Sequence, residues 1–212
     1  MKSLPNRIVL ATRNRGKVKE ISDLVADLPV ELLSLSDIAP DFDVVEDRDT
    51  FQENAMKKAR EVAHATGLTA LADDSGLCID ALEGRPGVLS ARYAGEGATD
   101  EEKCARILNE MAHVSDDRRG AHFVCVLALA TPEGEEKIFE GRCMGRITRE
   151  PRGDQGFGYD PIFFHEESGL TFAQMDRDSK NAVSHRGRSL RQLAAYLRTL
   201  ASGKDPDAQR PE

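Results

Sequence analysis

The sequence predicts an α/β protein built around a mixed β-sheet, and three observations support this fold class. Short apolar runs of strand length alternate with stretches whose apolar residues recur at helical spacing. Two longer apolar runs, 121–130 and 137–145, are separated by a proline-containing turn, which predicts a hairpin. Strands that alternate with helices favour a parallel sheet, and the added hairpin makes the sheet mixed.

The first elements are a strand, a helix and a second strand. Ile8–Ala11 is a short apolar run typical of a buried strand, and apolar residues at helical spacing follow from 18 to 28 until Pro29 ends the helix. A second apolar run, 30–35, precedes an acidic loop from Asp37 to Asp49. This order predicts one strand–helix–strand unit.

A capped helix and an acidic tetrapeptide come next. Thr50 and Glu53 have the spacing of a capping box, and Gly67 is a suitable helix stop. The apolar run 68–72 predicts a strand that ends in Asp73-Asp74-Ser75-Gly76, and residues 77–82 predict a separate strand.

The C-terminal half adds two helices around the hairpin. Thr99 and Glu102 form a second capping box, which predicts a helix to about residue 111. A glycine-rich loop covers 153–160, and the last helix carries an apolar stripe ending near residue 197. The polar segment 202–212 reads as a frayed tail, so we predict one domain over 1–201.

Composition excludes several classes of protein. The net charge of −8 argues against a broad nucleic-acid surface. We expect no membrane association, because the sequence lacks an apolar run near eighteen residues and its N-terminal apolar stretch is too short for a signal peptide. The four cysteines lack paired spacing, which favours free thiols in a reducing cytoplasm over a zinc or disulfide site.

The first candidate site lies between the first strand and the first helix. A helix N-terminus suits phosphate because its backbone N–H groups are unpaired and its dipole end is positive. A plain strand–turn–helix with solvated cations is the alternative. The candidate segment consists of Thr12, Arg13, Asn14, Arg15, Gly16 and Lys17.

The second candidate is the adjacent pair Asp73 and Asp74. Two neighbouring carboxylates after an apolar strand repel each other, and a divalent cation would relieve this. Magnesium prefers such oxygen ligands, and one carboxylate could also polarise an attacking water. Glu46 could supply a further ligand. The alternative is an Asx-type turn with a solvated acidic loop nearby.

Two further candidates lie near the C-terminus. In the loop 153–160, Phe157 is flanked by glycines and could offer a ring face to a base. The start of the last helix and the segment before it carry two cations, Lys180 and Arg186, and a group that titrates near neutral pH, His185. An arginine donates but cannot accept hydrogen bonds, so Arg186 would favour a 6-keto purine over a 6-amino purine. The alternatives are an aromatic core anchor and a solvated helix start.

These segments together resemble the inosine/xanthosine triphosphate pyrophosphatases, the family that hydrolyses non-canonical purine nucleoside triphosphates. The resemblance extends from about Ile8 to Leu200. It is carried by five ordered segments: LATRNRGKVKEI, EDRDTFQENAMKKA, ALADDSGLCIDALEGRPGVLSARYAG, GFGYDPIFF and SKNAVSHRGRSL.

The resemblance implies a specific activity and architecture. The expected reaction converts ITP, dITP or XTP to the monophosphate and pyrophosphate with Mg²⁺. The expected fold is an elongated mixed sheet with flanking helices, in two lobes around a central substrate cleft, and the expected assembly is a homodimer.

It also implies a role for each matching residue. Asp74 matches the catalytic proton acceptor and a metal-associated carboxylate, and Asp73 and Glu46 match acidic residues near the metal. The substrate contacts implied are Thr12, Arg13, Asn14, Arg15, Gly16, Lys17, Lys57, Ser75, Phe157, Gly158, Tyr159, Asp160, Lys180, His185 and Arg186.

Two alternative functions remain. One is a pyrophosphatase for modified pyrimidine nucleotides, whose relatives open with a serine- and arginine-rich first loop that this chain lacks. The other is a non-catalytic nucleotide sensor, which the presence of Asp73, Asp74 and Lys17 disfavours.

Overall fold

A computed structural model describes residues 3–12 and 15–205 of the chain. Within them the strands form one seven-stranded sheet in the order β2-β1-β3-β4-β5-β6-β7. The strands are β1 Arg7–Leu10, β2 Glu31–Ser34, β3 Thr69–Ile79, β4 Gly120–Ala130, β5 Glu136–Ile147, β6 Phe163–His165 and β7 Leu170–Thr171. The helices are α1 Arg15–Leu24, α2 Leu35–Ile38, α3 Phe51–Thr66, α4 Asp100–Glu110, α5 Arg177–Val183 and α6 His185–Ala201.

The sheet is mixed, as the sequence predicts. Strand β1 pairs in parallel with β2 and β3, whereas β6 pairs antiparallel with β5 and β7. The turn at 131–135 joins β4 to β5, and the N–H of Thr131 donates to the carbonyl of Glu135 at 2.9 Å. The α/β fold class is therefore confirmed.

The helix ends follow their capping residues. The Thr50 hydroxyl accepts from the N–H of Glu53 at the start of α3, and Gly67 ends this helix with φ +65°. Thr99 and Glu102 form a complete capping box at α4. The Glu53 side chain instead accepts from the Thr50 hydroxyl, so the first box is only half formed.

Strand β3 corrects one expectation from the sequence. Residues 68–82 were expected to form two strands separated by the acidic tetrapeptide, but Thr69–Ile79 is one continuous strand. Asp73 and Asp74 lie in its interior and are 3% and 6% exposed. The alternative of an Asx-type turn is therefore wrong. Lysines from α1 and α3 contact Asp73 and reduce the energetic cost of burying the carboxylates.

The chain forms two compact units, each assembled from separate stretches. The first contains the residues up to Asp74, Val126–Glu140 and the residues from Ser189 onward. The second contains Ser75–Cys125 and Gly141–Arg188. Among the described residues, no helix is long and apolar enough to cross a membrane.

Each unit has its own buried apolar residues. Those of the first include Ile8, Val62, Leu127, Leu129 and Leu193. The second has an apolar cluster that includes Leu77, Ile107, Phe123, Phe163 and Phe172.

Arg119 is a fully buried cation in the second unit, at 1% exposure. Its guanidinium donates to the carbonyls of Ile147, Met111 and Thr148, each at 2.8 Å, and to that of Val114 at 3.4 Å. This side chain therefore ties the end of α4 to the end of β5 by donating to backbone carbonyls of both elements and of the segments next to them.

Candidate active site

The first unit gathers five charged side chains that we call the acid–lysine cluster: Lys17, Glu46, Lys58, Asp73 and Asp74. Lys17, from α1, forms an ion pair with the Asp73 carboxylate. Lys58, from α3, donates to Glu46 Oε1 and to the backbone carbonyl of Asp73, each at 2.7 Å. Three carboxylates and two ammonium groups thus stand in a largely buried setting, where charge interactions are strong.

Asp74 has the least satisfied position in this cluster. Its Oδ2 is buried, and no donor among the described residues reaches it. Burial is the main cause that raises the pKa of Asp74 to about 6; Lys58 opposes the rise, while Glu46 and Asp73 add to it. A buried carboxylate oxygen without a donor can accept a bond from water or bind a cation.

A cavity of about 200 Å³ lies beside the cluster in the first unit. Its lining includes Thr12, Lys17, Glu46, Lys58 and Asp73. Four of these are predicted site residues, and the fifth is Lys58. The structure therefore brings together residues that are up to 61 positions apart in the sequence, from Thr12 to Asp73.

The rest of the first candidate segment is only partly described. Arg15 and Gly16 are the first two residues of α1, which places this helix N-terminus next to Lys17, as expected. Arg13 and Asn14 lie outside the described residues, as does the side chain of Arg15.

Lys58 lies in the acid–lysine cluster, whereas its neighbour Lys57 does not, and a substrate contact of Lys57 stays a prediction. The Lys57 ammonium donates to Val45 O at 2.8 Å and to Asp47 Oδ1 at 2.7 Å. It lines a different groove, of about 450 Å³, in which none of the other predicted site residues takes part. Helical periodicity identifies Lys58, because it lies on the same face as the buried residues Ala55 and Val62.

The acid–lysine cluster offers suitable ligand atoms for a metal ion but too few converging side chains to hold one alone. Glu46, Asp73 and Asp74 offer the oxygen donors that Mg²⁺ prefers. Across residues 3–12 and 15–205, however, no three His, Cys, Asp or Glu side chains converge closely enough to hold an ion by themselves.

The second unit contains a separate group of predicted residues, which we call the aromatic–basic cluster: Ser75, Phe157, Asp160, Lys180 and Arg186. The Phe157 ring is 43% exposed. Lys180 Nζ lies 4.7 Å from its centroid and the Arg186 guanidinium carbon 5.5 Å from it. Arg186 also donates to the Ser75 hydroxyl at 3.5 Å. An exposed ring beside two cations suits a planar, electron-rich ligand.

Asp160 organises the loop that carries Phe157. Its Oδ2 accepts from the N–H of Phe157 at 2.9 Å and also pairs with the Lys180 ammonium. Burial raises the pKa of Asp160, and Lys180 opposes that rise. Gly156 has φ +79°, and a Cβ added there would overlap the Asp160 carboxylate. The loop conformation therefore requires glycine at this position.

Two predicted substrate contacts lie in packed positions. Tyr159 is 4% exposed and its hydroxyl donates to Ser90 O at 2.8 Å. His185, the first residue of α6, stacks on Phe123 with ring centroids 4.6 Å apart. Both side chains pack against the second unit's core, and their contact with substrate stays a prediction.

The chain is similar to known proteins over most of its length. The model of the Ham1 family matches residues 8–196. A Geobacter sulfurreducens protein named dITP/XTP pyrophosphatase is 53% identical over 192 residues, which cover 90% of this chain and 96% of that protein. A protein of the same name from Streptomyces coelicolor is 46% identical over 197 residues, covering 92% and 98%.

A solved structure gives the same result. The HAM1 protein from Coxiella burnetii superimposes with a TM-score of 0.86 at 45% identity, covering 91% of this chain and 98% of that one. The match of the family model over most of the chain, together with this level of identity, shows that the chain belongs to the Ham1 family.

Proposed function

We propose that this chain hydrolyses non-canonical purine nucleoside triphosphates, such as ITP, dITP and XTP, to the monophosphate and pyrophosphate. Family membership and the names of its relatives support this reaction. The observation that carries the proposal is Asp74, a buried carboxylate. One of its oxygens has no donor among the described residues, and Lys17 and Lys58 are close enough to affect its pKa. A group of this kind is typical of a site that activates water.

Asp74 acts as the proton acceptor in this mechanism. Because its pKa is about 6, it is mostly ionised at neutral pH yet remains a stronger base than an ordinary aspartate. Its Oδ2 orients a water molecule and takes a proton from it as the water oxygen bonds to the α-phosphorus. The bond from the α-phosphorus to the oxygen that bridges it to the β-phosphate breaks, and pyrophosphate leaves with that oxygen and the electron pair of the bond.

Lys17 and Lys58 stabilise the charge that develops on the phosphate oxygens. Both ammonium groups border the cavity of the first unit. Preorganised cations in a largely buried site, where water screens charge less, stabilise a phosphoryl transition state without having to reorient. The N-terminus of α1, which begins two residues before Lys17, adds backbone N–H groups that can donate to phosphate.

Mg²⁺ is the metal that we propose for the acid–lysine cluster, held by Asp74 with Asp73 and Glu46. When bound, Mg²⁺ neutralises charge on the phosphates. Since the three carboxylates do not converge as a complete ligand set, phosphate oxygens would supply part of the coordination. Lys17 and Lys58 must loosen their ion pairs with Asp73 and Glu46 for these carboxylates to become available.

The aromatic–basic cluster binds the base in this proposal. Phe157 stacks on the purine, and Arg186 donates to a 6-keto oxygen. Adenine would present an amino group to the same donor, and an unpaired buried polar contact costs about 1–3 kcal/mol. This difference favours ITP over ATP.

The resemblance also implies a homodimer, and the unpaired spacing of the cysteines favours a cytoplasmic location. Both stay predictions, which sedimentation of the purified protein and its localisation in cells would check.

The direct test is a panel of ITP, dITP, XTP, GTP and ATP with Mg²⁺, with the released products identified by ion-exchange chromatography. We expect monophosphate and pyrophosphate from the first three and little product from ATP. Asp74→Asn should bind ITP but release no pyrophosphate. A wild-type protein that binds ITP without turnover would support the sensor alternative, and efficient turnover of modified pyrimidine triphosphates would overturn the purine assignment.

A further inference from the structure

Helix α4 contacts the loop that carries Phe157, although no residue of this helix is among the predicted site residues. Asp100 and Cys104 are four residues apart in α4 and therefore lie on the same face. The Asp100 Oδ2 accepts from the N–H of Gly158 at 2.6 Å, and the Cys104 thiol donates to the Gly158 carbonyl at 3.4 Å. One face of α4 thus binds both backbone polar groups of Gly158.

The bond from Gly158 to Asp100 is the stronger of the two. It is short and its acceptor is ionised, and such charge-assisted bonds are about twice as strong as neutral ones. Desolvation raises the pKa of Asp100, but the Gly158 N–H and the Lys103 ammonium outweigh it and hold the pKa below its ordinary value. The other oxygen, Oδ1, accepts from Lys103 at 3.0 Å, which fixes the carboxylate plane.

Helix α4 is a firm support for this contact. Its first turn is closed by the capping box of Thr99 and Glu102. Cys104 and Ile107 are 3% and 0% exposed, so the inner face of the helix is packed into the core of the second unit. An acceptor at the first position of such a helix has little freedom to move.

The residue that Asp100 binds is next to the exposed aromatic ring. Gly158 follows Phe157 directly and has φ +63°. The N–H of Phe157 is bound by Asp160 and the N–H of Gly158 by Asp100, so two carboxylates from different elements hold consecutive peptide groups. The direction of the Phe157 ring depends on both bonds.

We propose that Asp100 is a positioning residue that fixes the loop 153–160 from α4 and thereby sets the affinity of the site for the purine base. The proposal rests on the proposed function in assigning the base to Phe157. Asp100 touches no substrate atom in this role and acts only through Gly158. Its loss should therefore raise KM while the chemical step, carried by the first unit, is retained.

The kinetic test compares Asp100→Ala, Asp100→Asn and Ile107→Val. Asp100→Ala should raise KM for ITP about tenfold, the effect of losing one charge-assisted hydrogen bond, with kcat changed less than about twofold. Asp100→Asn keeps an acceptor for Gly158 and should restore most of the affinity. Ile107→Val shortens a buried side chain further along the same helix and leaves its first turn intact, so it should lower Tm without changing KM.

A second measurement needs no catalysis. The chain has no tryptophan, so Phe157→Trp places a single fluorophore on the loop. Adding Asp100→Ala to this variant should increase quenching by acrylamide, whereas adding Ile107→Val should not. Unchanged quenching, or equal KM values for Asp100→Ala and Ile107→Val, would overturn the positioning role. A wild-type protein that does not hydrolyse ITP would overturn the proposed function alone, since the quenching test would still decide the role of Asp100.

Discussion

At the residue scale, Asp74 lowers the stability of the folded protein under the conditions in which it is chemically useful. Its pKa rises from an ordinary 3.8 to about 6, so the folded state binds more protons than the unfolded state between these values. The free energy of unfolding therefore falls as pH rises from about 4 to about 6, and the full penalty, roughly 3 kcal/mol, persists at higher pH.

This penalty predicts a stabilising but inactive variant. Asp74→Asn removes the buried charge, so at pH 8 in a chelator its Tm should exceed that of the wild type by roughly 5–10 °C. The difference should disappear near pH 3, where the wild-type carboxyl is mostly protonated in both the folded and the unfolded state. Differential scanning fluorimetry from about pH 3 to pH 8 measures this difference in Tm. Equal Tm values at pH 8 would mean that the Asp74 carboxylate is solvated or paired in solution.

The two adjacent lysines of α3 offer a matched comparison. Lys58→Met removes an ammonium group of the acid–lysine cluster and should lower kcat/KM for ITP by roughly 10- to 100-fold, the effect of losing one or more charge-assisted contacts. Lys57→Met removes only a cation that binds Asp47 and Val45 O, and should stay within about twofold of the wild type. Steady-state kinetics of both variants distinguishes them. The reverse order would favour the predicted substrate contact of Lys57 over the role proposed for Lys58.

At the scale of elements, the junction of α4, the segment after it and β5 depends on Arg119. Arg119→Met would remove the guanidinium that donates to four backbone carbonyls of the second unit and should destabilise the protein by about 3–5 kcal/mol. Arg118→Met changes an exposed neighbour and should stay within about 0.5 kcal/mol of the wild type. Urea denaturation followed by circular dichroism measures both. A small loss for Arg119→Met would mean that water replaces the guanidinium.

Elements with a local signal were predictable from the sequence. The helix starts at Thr50 and Thr99 follow from residues three positions apart, and the hairpin follows from two apolar runs around a turn. The helices α2 and α5 were not predicted, because four and seven residues are too few to show a period.

Strand β3 could not be predicted as one element for a different reason. Its two aspartates are charged and unfavourable in a buried strand, so locally they mark an end. Only the approach of Lys17 and Lys58 from other elements makes their burial acceptable, and that approach is a property of the tertiary structure. The same limit applies to Asp100, whose partner Gly158 is 58 positions away.

At the scale of the whole molecule, neither compact unit is a continuous stretch of chain. The boundaries fall after Asp74, Cys125, Glu140 and Arg188, which lie within β3, β4, β5 and α6. Cutting the chain at one of these positions cannot release a complete unit. The prediction of one domain over 1–201 stays a prediction, and its two-lobed form came from the family resemblance and not from composition or periodicity.

The candidate site was predictable to different degrees in the two units. Four predicted residues line the cavity beside the acid–lysine cluster, and their roles follow from the family resemblance. The packed positions of Tyr159 and His185 were not predictable, since an aromatic residue in a glycine-rich loop and a histidine at a helix start give no sign of the direction of their side chains.

The internal pairing of the lysines has a consequence for the ions that surround the protein in a cell. Lys17 and Lys58 are already neutralised by Asp73 and Glu46, so a chloride or inorganic phosphate ion gains little by approaching them. A ligand that carries its own divalent cation offers an anion to each lysine and a cation to each carboxylate at the same time. The ion pairs therefore favour such a ligand over chloride or free phosphate.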